Sequence, residues 1–566
     1  MDTASLNLLW AHTLVGGFAA AGVRRAVISP GSRSTPLALA LLRLGGIACH
    51  VLVDERSAAF FALGLAKASG LPTLLLATSG SAPGHWLPAA IEADRAGVPL
   101  LLVTADRPAE LQGCGANQTI EQSGLFTGFL RERVLLDAPH RDFDPAWLHR
   151  LAARSVEKSL LPLAGPVHLN QPFREPLVPS GEVPPPAALP AVPVFPPAPA
   201  DPTPEALAAI AAAQASGPGI IVCGPARNPT RQDFPPAVAA LALHLDCPIL
   251  AEPLSGLRFG PWDRSRVFCR QDRWLRSTDF VTIHRPSWVL RFGDTPVGRP
   301  LQDYAAHAPI VIQAEPAPCW NDPAQTASAL VRADPTRLCH ALLEHLPPLP
   351  RAGWLAAFQA AEKEADAALN RLALPAEARL IAALLAAAPP GAAVFVGNSL
   401  PIRDVDSFSG CGAKALEFFA NRGASGIDGN LSTAAGIAAV RGPTLALLGD
   451  LAAQHDIGGL AALRGLPLVV VVIKNGGGGI FEHLPQARLP EFEAAWLTPQ
   501  DIDLPSTARA FGLKGLTLSD PEAFPSVLAQ ALAAGKPCLI EVQVDRAASR
   551  AAREAWWSGG SAPVSS

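Results

Sequence analysis

Residues 443–481, PTLALLGDLAAQHDIGGLAALRGLPLVVVVIKNGGGGIF, decide the fold. Two apolar, largely branched runs, 444–448 and 468–473, flank a helical pattern over 451–464. Uninterrupted apolar strands on either side of a helix predict a parallel βαβ unit whose sheet is covered on both faces. Ligands of such sheets bind beyond the carboxyl ends of the strands. Gly449-Asp450 and Asn475 fall at two such ends, and four glycines (476–479) follow.

That placement suits a divalent cation bridged to a diphosphate. Mg2+ prefers near-octahedral oxygen ligands and takes only a few of them from protein. Asp450 supplies a charged oxygen and Asn475 a neutral one, while a glycine backbone lets a ligand approach closely. The helix that begins at Leu451 turns its free N–H groups toward the phosphates. Taken alone, Asp450 reads more readily as a helix N-cap and the glycines as a flexible loop. The paired strand ends and the asparagine favour the cation.

Outward from this stretch, residues 71–108 (LPTLLLATSGSAPGHWLPAAIEADRAGVPLLLVTADRP) repeat its layout. Pro72-Thr73 answers Pro443-Thr444, a helix follows the first strand, and LLLVT answers LVVVV. The helices ahead of each also correspond, SAAFFALGLAKASG with LSTAAGIAAVRG, so one α/β domain occurs twice. The copies differ in chemistry: the matching strand ends, expected at Thr78 and Thr104, carry neither an acid nor an amide.

The 566 residues allow three or four domains. The first is expected over 1–178 and a stiff, proline-dense linker over 179–204. A central α/β domain follows over 205–350, a linker helix over 351–374, a third domain over 375–557, and a disordered tail over 558–566. The chain is 49% apolar with a net charge of −4, and its nine cysteines are scattered without a CxxC pair. Such usage predicts reduced thiols in a cytoplasmic protein, without structural zinc or a disulfide framework. A mildly acidic chain without a basic stripe excludes nucleic acid as the natural partner, and apolar runs far below bilayer length exclude membrane insertion.

Other strand ends carry further candidates. RRAVISPGSRSTPLALA (24–40) places Ser32, Arg33 and Ser34 between a strand and a helix capped by Thr35 with Pro36 at its first position. HVLVDERSAAFF ends a strand at Asp54-Glu55-Arg56, residues that read alone as dipole complements of the next helix. GNSLPIRD places Asn398 and Ser399 at a strand end with Arg403 one turn into a helix, and NRGASGIDG places Arg422 in a glycine-rich loop. Arg33, Arg107, Arg403 and Arg422 thus stand at strand ends in an acidic protein. Together they predict a pocket for small molecules bearing several carboxylates.

Two like α/β domains around a third, one with a strand-end glutamate and the other with Gly-Asp and a distant Asn, resemble the thiamine-diphosphate enzymes. The diphosphate signature stands here as Gly449-Asp450-Leu451 and Lys474-Asn475-Gly476. SPGSRSTPLALA, DERSAAFFALGLAK, TADRPAELQGCGANQTIEQ, GNSLPIRD, NRGASGIDGNLSTAAG and NGGGGIF further resemble the 2-succinyl-5-enolpyruvyl-6-hydroxy-3-cyclohexene-1-carboxylate synthases of menaquinone biosynthesis. The likeness spans both outer domains and is looser in the middle.

The resemblance implies decarboxylation of 2-oxoglutarate and 1,4-addition of the four-carbon fragment to isochorismate. It implies thiamine diphosphate and Mg2+ (or Mn2+) as cofactors, and a homodimer with shared active sites, or a dimer of such dimers. The family's cofactor glutamate falls on Glu55, which would favour the imino tautomer of the aminopyrimidine. Metal ligands fall on Asp450, Asn475 and the Gly477 carbonyl. Substrate contacts fall on Ser32, Arg33, Arg107, Asn117, Gln118, Ser399, Arg403 and Arg422. Ile480, Phe481 and Leu484 would form an apolar wall, and Ile427 the wedge that bends the cofactor. The family's basic pair in the middle domain is reduced here to Arg299-Pro300, and the loop after Gly80 reads SAPGHW with Pro83 and His85. Two other readings are an acetohydroxyacid-synthase-like carboligase acting on pyruvate and a non-catalytic metabolite-binding relative. Fewer arginines would suit the first, and a lost Glu55, Asp450 or Asn475 the second.

Overall fold

The computed structural model describes residues 1–187, 189–227 and 232–558; all but the first residue of the expected tail lies outside the described residues. Among the described residues, eighteen strands form three six-stranded sheets in which every pairing is parallel. The first contains β1 (Arg25–Ile28), β2 (Ala48–Val51), β3 (Thr73–Ala77), β4 (Leu100–Asp106), β5 (Glu132–Leu135) and β6 (Pro166–Pro172). The second contains β7 (Gly219–Cys223), β8 (Ile249–Ala251), β9 (Val267–Phe268), β10 (Trp288–Phe292), β11 (Ile310–Ala314) and β12 (Ala329–Val331). The third contains β13 (Ala393–Val396), β14 (Glu417–Phe419), β15 (Thr444–Gly449), β16 (Leu468–Lys474), β17 (Lys514–Leu518) and β18 (Cys538–Gln543).

The outer sheets share one topology. Their orders are β2-β1-β3-β4-β6-β5 and β14-β13-β15-β16-β18-β17, which superpose strand for strand. The middle sheet runs β12-β11-β10-β7-β8-β9 and is wound differently. The repeat read from residues 71–108 and 443–481 is therefore a repeat of whole sheets. β3 is buried along its full length and β16 over its first six residues, the burial expected of strands covered on both faces.

The chain packs as two compact units. One comprises Met1–Pro197 together with Asn421–Gly442 and His455–Leu466, and the other Ala198–Ala420, Pro443–Gln454 and the chain from Pro467 onward. In the first, Trp10, Leu14 and Phe18 pack with Leu76, Val103 and Leu169. The helix Glu55–Ser69 crosses the helix Asn430–Arg441 closely: a Cβ on Gly64 would stand 2.2 Å from the Thr433 carbonyl. In the second unit one cluster gathers Ile381, Leu447, Val471 and Ile540, and another Trp274, Trp354 and Phe358. Burying a large apolar side chain of this kind is worth about 1.5–3 kcal/mol.

Three local expectations are corrected. The helix expected over 451–464 ends early, as Asp450–His455, and continues as the 3-10 segment Ile457–Leu463. The break is set by Asp456, whose buried carboxylate accepts the Ser432 N–H at 2.7 Å and the Ser432 hydroxyl at 3.0 Å. Thr35 is the first residue of its helix rather than the cap; Ser34 holds the cap position, and Thr35 Oγ1 donates to the Ser32 carbonyl at 2.6 Å. Thr104 is not a strand end, because β4 runs on to Asp106, and Thr104 is fully buried. All nine cysteines are free thiols.

Candidate active site

In the second unit, β15 and β16 pair in register with Gly449 opposite Ile473, so Asp450 and Asn475 leave adjacent strands at the same end. Asp450 Oδ1 accepts the N–H of Leu451 at 2.8 Å, and Oδ2 accepts those of Gly476 and Gly477 at 2.9 and 3.0 Å. Burial raises the Asp450 carboxyl above the ordinary range, and the three backbone donors oppose that shift. Asn475 Oδ1 is buried and accepts no hydrogen bond. Buried amide oxygens are rarely left so, and an orphaned acceptor beside a carboxylate is what a hard cation requires. Gly477 has φ +127°, and a Cβ there would stand 2.1 Å from the Leu497 carbonyl, so only glycine fits. Its own carbonyl accepts the Gly479 N–H at 2.9 Å and keeps a second lone pair. The donor set of one carboxylate, one amide oxygen and one carbonyl fits Mg2+. No cluster of three or more His, Cys, Asp or Glu suited to a metal occurs among the described residues.

The glycine run enters the 3-10 segment Gly479–His483, where Ile480 and Phe481 are half-buried and Leu484, just beyond, is exposed. Arg546, from the last helix, braces the loop by pairing with Glu482 at 3.1 Å. Ser399 precedes the helix Leu400–Phe408 at φ 72°, a strained conformation for a residue with a side chain. Its carbonyl accepts Arg403 Nη1 at 2.7 Å. The flanking carboxylates of that helix are both buried and paired. Arg553 reaches Asp404 with two bonds of 2.9 and 3.0 Å, and Arg258 binds Asp406. Burial pushes both carboxyls up to about 6. Nothing in a sequence pattern marks Arg258, Arg546 or Arg553 for this support, since each pairs across more than sixty positions. Arg299 stands apart on its own helix, largely exposed and paired with Asp303 at 2.8 Å.

In the first unit, Asp54 caps the helix Glu55–Ser69 by accepting the Arg56 N–H at 2.9 Å, which leaves Glu55 half-buried at the first position. Arg107 follows β4; its Nη1 donates to the Gln118 carbonyl at 2.7 Å and to Ser79 Oγ. Gln118, at φ 55°, returns a bond from Nε2 to the Ser79 carbonyl at 2.9 Å. Asn117 is exposed. Arg33 is buried, and its fork is already engaged, by the Phe173 carbonyl at 2.9 Å and Glu175 at 2.8 Å. Ser32 stays exposed beside it. Desolvation, and then the charge on Arg33, lower the Arg107 pKa, so the two guanidiniums share one neighbourhood. Arg422 and Ile427 lie half-buried in the loop that precedes the helix Asn430–Arg441. The supports missed in the sequence are Ser79, under Arg107, and Gln122, whose Oε1 accepts the Gly80 N–H at 3.0 Å.

A duplicated parallel α/β domain, with a Gly-Asp turn and an orphaned Asn at adjacent strand ends of one copy, defines a thiamine-diphosphate enzyme. Family models agree: residues 10–125 match the N-terminal TPP binding domain of thiamine pyrophosphate enzymes, and residues 411–542 the C-terminal TPP binding domain. The chain is 50% identical over 554 residues to the 2-succinyl-5-enolpyruvyl-6-hydroxy-3-cyclohexene-1-carboxylate synthase of Dechloromonas aromatica, covering 96% of this chain and 99% of that protein. The synthase of the same name from Geobacillus kaustophilus is 40% identical over 556 residues, 95% of each chain, and that of Myxococcus xanthus 39% over 572 residues, 96% of each. The chain belongs to the 2-succinyl-5-enolpyruvyl-6-hydroxy-3-cyclohexene-1-carboxylate synthase family.

Proposed function

We propose that the chain decarboxylates 2-oxoglutarate and adds the remaining succinyl fragment to isochorismate by 1,4-addition, releasing CO2, as a cytoplasmic enzyme of menaquinone biosynthesis. Bound thiamine diphosphate supplies the nucleophilic carbon and the electron sink for the decarboxylation. Asp450, Asn475 and the Gly477 carbonyl would hold the Mg2+ (or Mn2+), which would anchor the diphosphate. Glu55 would hold a proton at a ring nitrogen of the cofactor. Ile427 would pack against the cofactor, and Ile480, Phe481 and Leu484 would keep water from the reacting carbon.

The two substrates bring several carboxylates between them, and the arginines answer these. Arg403 and Arg422, with Ser399, grip 2-oxoglutarate; Arg33 and Arg107, with Ser32, Asn117 and Gln118, grip isochorismate, with Arg299 at its margin. Arg33 and Arg107 lie close enough for the charge on one to lower the pKa of the other, with Asp106 and Glu175 opposing, and two neighbouring guanidiniums favour an anionic ligand there. Functional domains run over 1–178, 205–350 and 375–557. The working molecule is a homodimer in which Glu55 of one chain and Asp450 of its two-fold mate serve one cofactor.

The observation that carries this reading is the orphaned Asn475 amide oxygen beside the Asp450 carboxylate. The test supplies 2-oxoglutarate labelled at its ketone-side carboxyl to purified protein with thiamine diphosphate and Mg2+. Labelled CO2 that needs both additions supports the reading. Turnover of pyruvate in preference to 2-oxoglutarate would favour the acetohydroxyacid-synthase-like alternative.

A further inference from the structure

The loop that carries Arg422 is held on both sides by side chains from the amino-terminal part of the chain. Glu92, on the helix Leu87–Ala96, is 3% exposed. Its Oε1 accepts the Gly423 N–H at 3.0 Å and its Oε2 the Ala424 N–H at 2.6 Å. Lys67, near the end of the helix Glu55–Ser69, donates from Nζ to Glu92 Oε1 at 3.0 Å and to Asn421 Oδ1 at 3.0 Å. Asn421 Nδ2 in turn donates to Thr433 Oγ1 at 3.0 Å. Residues 421, 423 and 424 are thus all fixed, and Arg422 lies between them in the chain. The fit is close: a Cβ on Gly423 would lie 2.6 Å from the Glu92 carbonyl and 2.8 Å from the Ala96 nitrogen.

A buried ion pair is a poor source of net stability, because desolvation offsets the attraction. Its charge-assisted bonds are strong and directional, and here two of them end on backbone N–H groups of one loop. Such bonds define where a backbone lies, and a guanidinium that must meet a planar carboxylate depends on that. The helix with Glu55 at its first residue also bears Lys67, so one rigid element connects the cofactor's acid to the anchor of the Arg422 loop. We infer that Glu92, supported by Lys67, is a positioning residue for Arg422 and through it sets the enzyme's affinity for the 2-oxoacid carboxylate. The inference rests on the reading of Arg422 as a 2-oxoglutarate contact.

The test compares Glu92→Gln, Arg422→Ala and the double variant in the full-length holoenzyme. The amide keeps the shape of Glu92 but loses the charge and one acceptor. Glu92→Gln is expected to raise the KM for 2-oxoglutarate roughly tenfold with a much smaller change in kcat. Thiamine diphosphate affinity and the KM for isochorismate stay as in the wild type. In the Arg422→Ala background the same change adds nothing further, because its route of action is gone. Lys67→Met, which leaves the Glu92 bonds to the loop intact, moves the same KM in the same direction and carries the test should Glu92→Gln fail to fold. A merely structural role would lower the melting temperature and give losses that add. Additive losses, or an unchanged KM in Glu92→Gln beside a raised one in Arg422→Ala, would overturn the inference. A wild-type KM in Arg422→Ala would instead remove the assignment of Arg422, and the inference with it.

Discussion

Asp450 Oδ2 accepts the backbone N–H of Gly477 at 3.0 Å, tying the end of one strand to the loop that leaves its neighbour. Replacing Asp450 by Ala removes the only carboxylate of the proposed cation site and frees that loop. Asp450→Ala should lose the Mg2+-dependent part of thiamine diphosphate binding, which calorimetric titration with and without metal measures directly. Unchanged affinity and metal dependence would mean that the strand ends do another job.

Glu55→Gln should fold normally and lose turnover by about a hundredfold or more, the usual value of a positioned proton-transfer group. The dimer proposal adds a second outcome. Refolding a mixture of Glu55→Ala and Asp450→Ala chains, each inactive alone, should restore about a quarter of the sites, since a mixed two-fold pair has one site with both lesions and one with neither. Mixed dimers without activity would place both residues of a site in one chain.

Arg403→Ala and Arg422→Ala should impair use of 2-oxoglutarate, whereas Arg107→Ala should mainly impair isochorismate. Losing an arginine–carboxylate contact in a desolvated site costs about 2–4 kcal/mol, part of it the partner left unpaired. Steady-state kinetics with each substrate varied in turn reads the split. Arg33→Ala should show the isochorismate defect together with a fall in melting temperature, because that side chain also binds the Phe173 carbonyl and Glu175. One common defect for both substrates in all four variants would dissolve the division of labour.

Burial pushes the Asp456 carboxyl up to about 7 from an ordinary value of 3.8, with Ser432 opposing the shift and the charges of Asp54 and Asp428 adding to it. The folded state therefore keeps a proton that the unfolded chain has lost. Stability through this group falls as pH rises from the unfolded pKa toward 7 and is level above that. Asp456→Asn does not titrate, so its melting temperature relative to the wild type should rise between about pH 4 and about pH 7 and level off above that. A difference independent of pH would contradict the burial argument.

The strands and the placement of Asp450 and Asn475 at adjacent strand ends were legible because β15 and β16, like β3 and β4, are continuous apolar runs, and a residue just past such a run has one place to go. The end of the helix after Asp450 was not, because Asp456 stops it through Ser432, a partner twenty-four positions away. The extent of β4 was hidden for a similar reason: Thr104 looks like a polar terminus, yet its hydroxyl is satisfied inside the sheet by His168 and Asn170. Arg33 was legible as a strand-end cation, but its burial and its engagement with Glu175, 142 positions further on, were not. No pattern in the sequence singles out Lys67 or Glu92; only the packing of their helices against the Arg422 loop gives them a task.

The most direct test of the account is the product formed when purified protein, thiamine diphosphate, Mg2+, 2-oxoglutarate and isochorismate are combined and resolved by mass spectrometry. The account predicts one new species with the mass of isochorismate plus 2-oxoglutarate less CO2, absent without either cofactor and absent from the Asp450→Ala protein. Decarboxylation of 2-oxoglutarate that never transfers carbon to isochorismate, or no reaction in the presence of both cofactors, would contradict it.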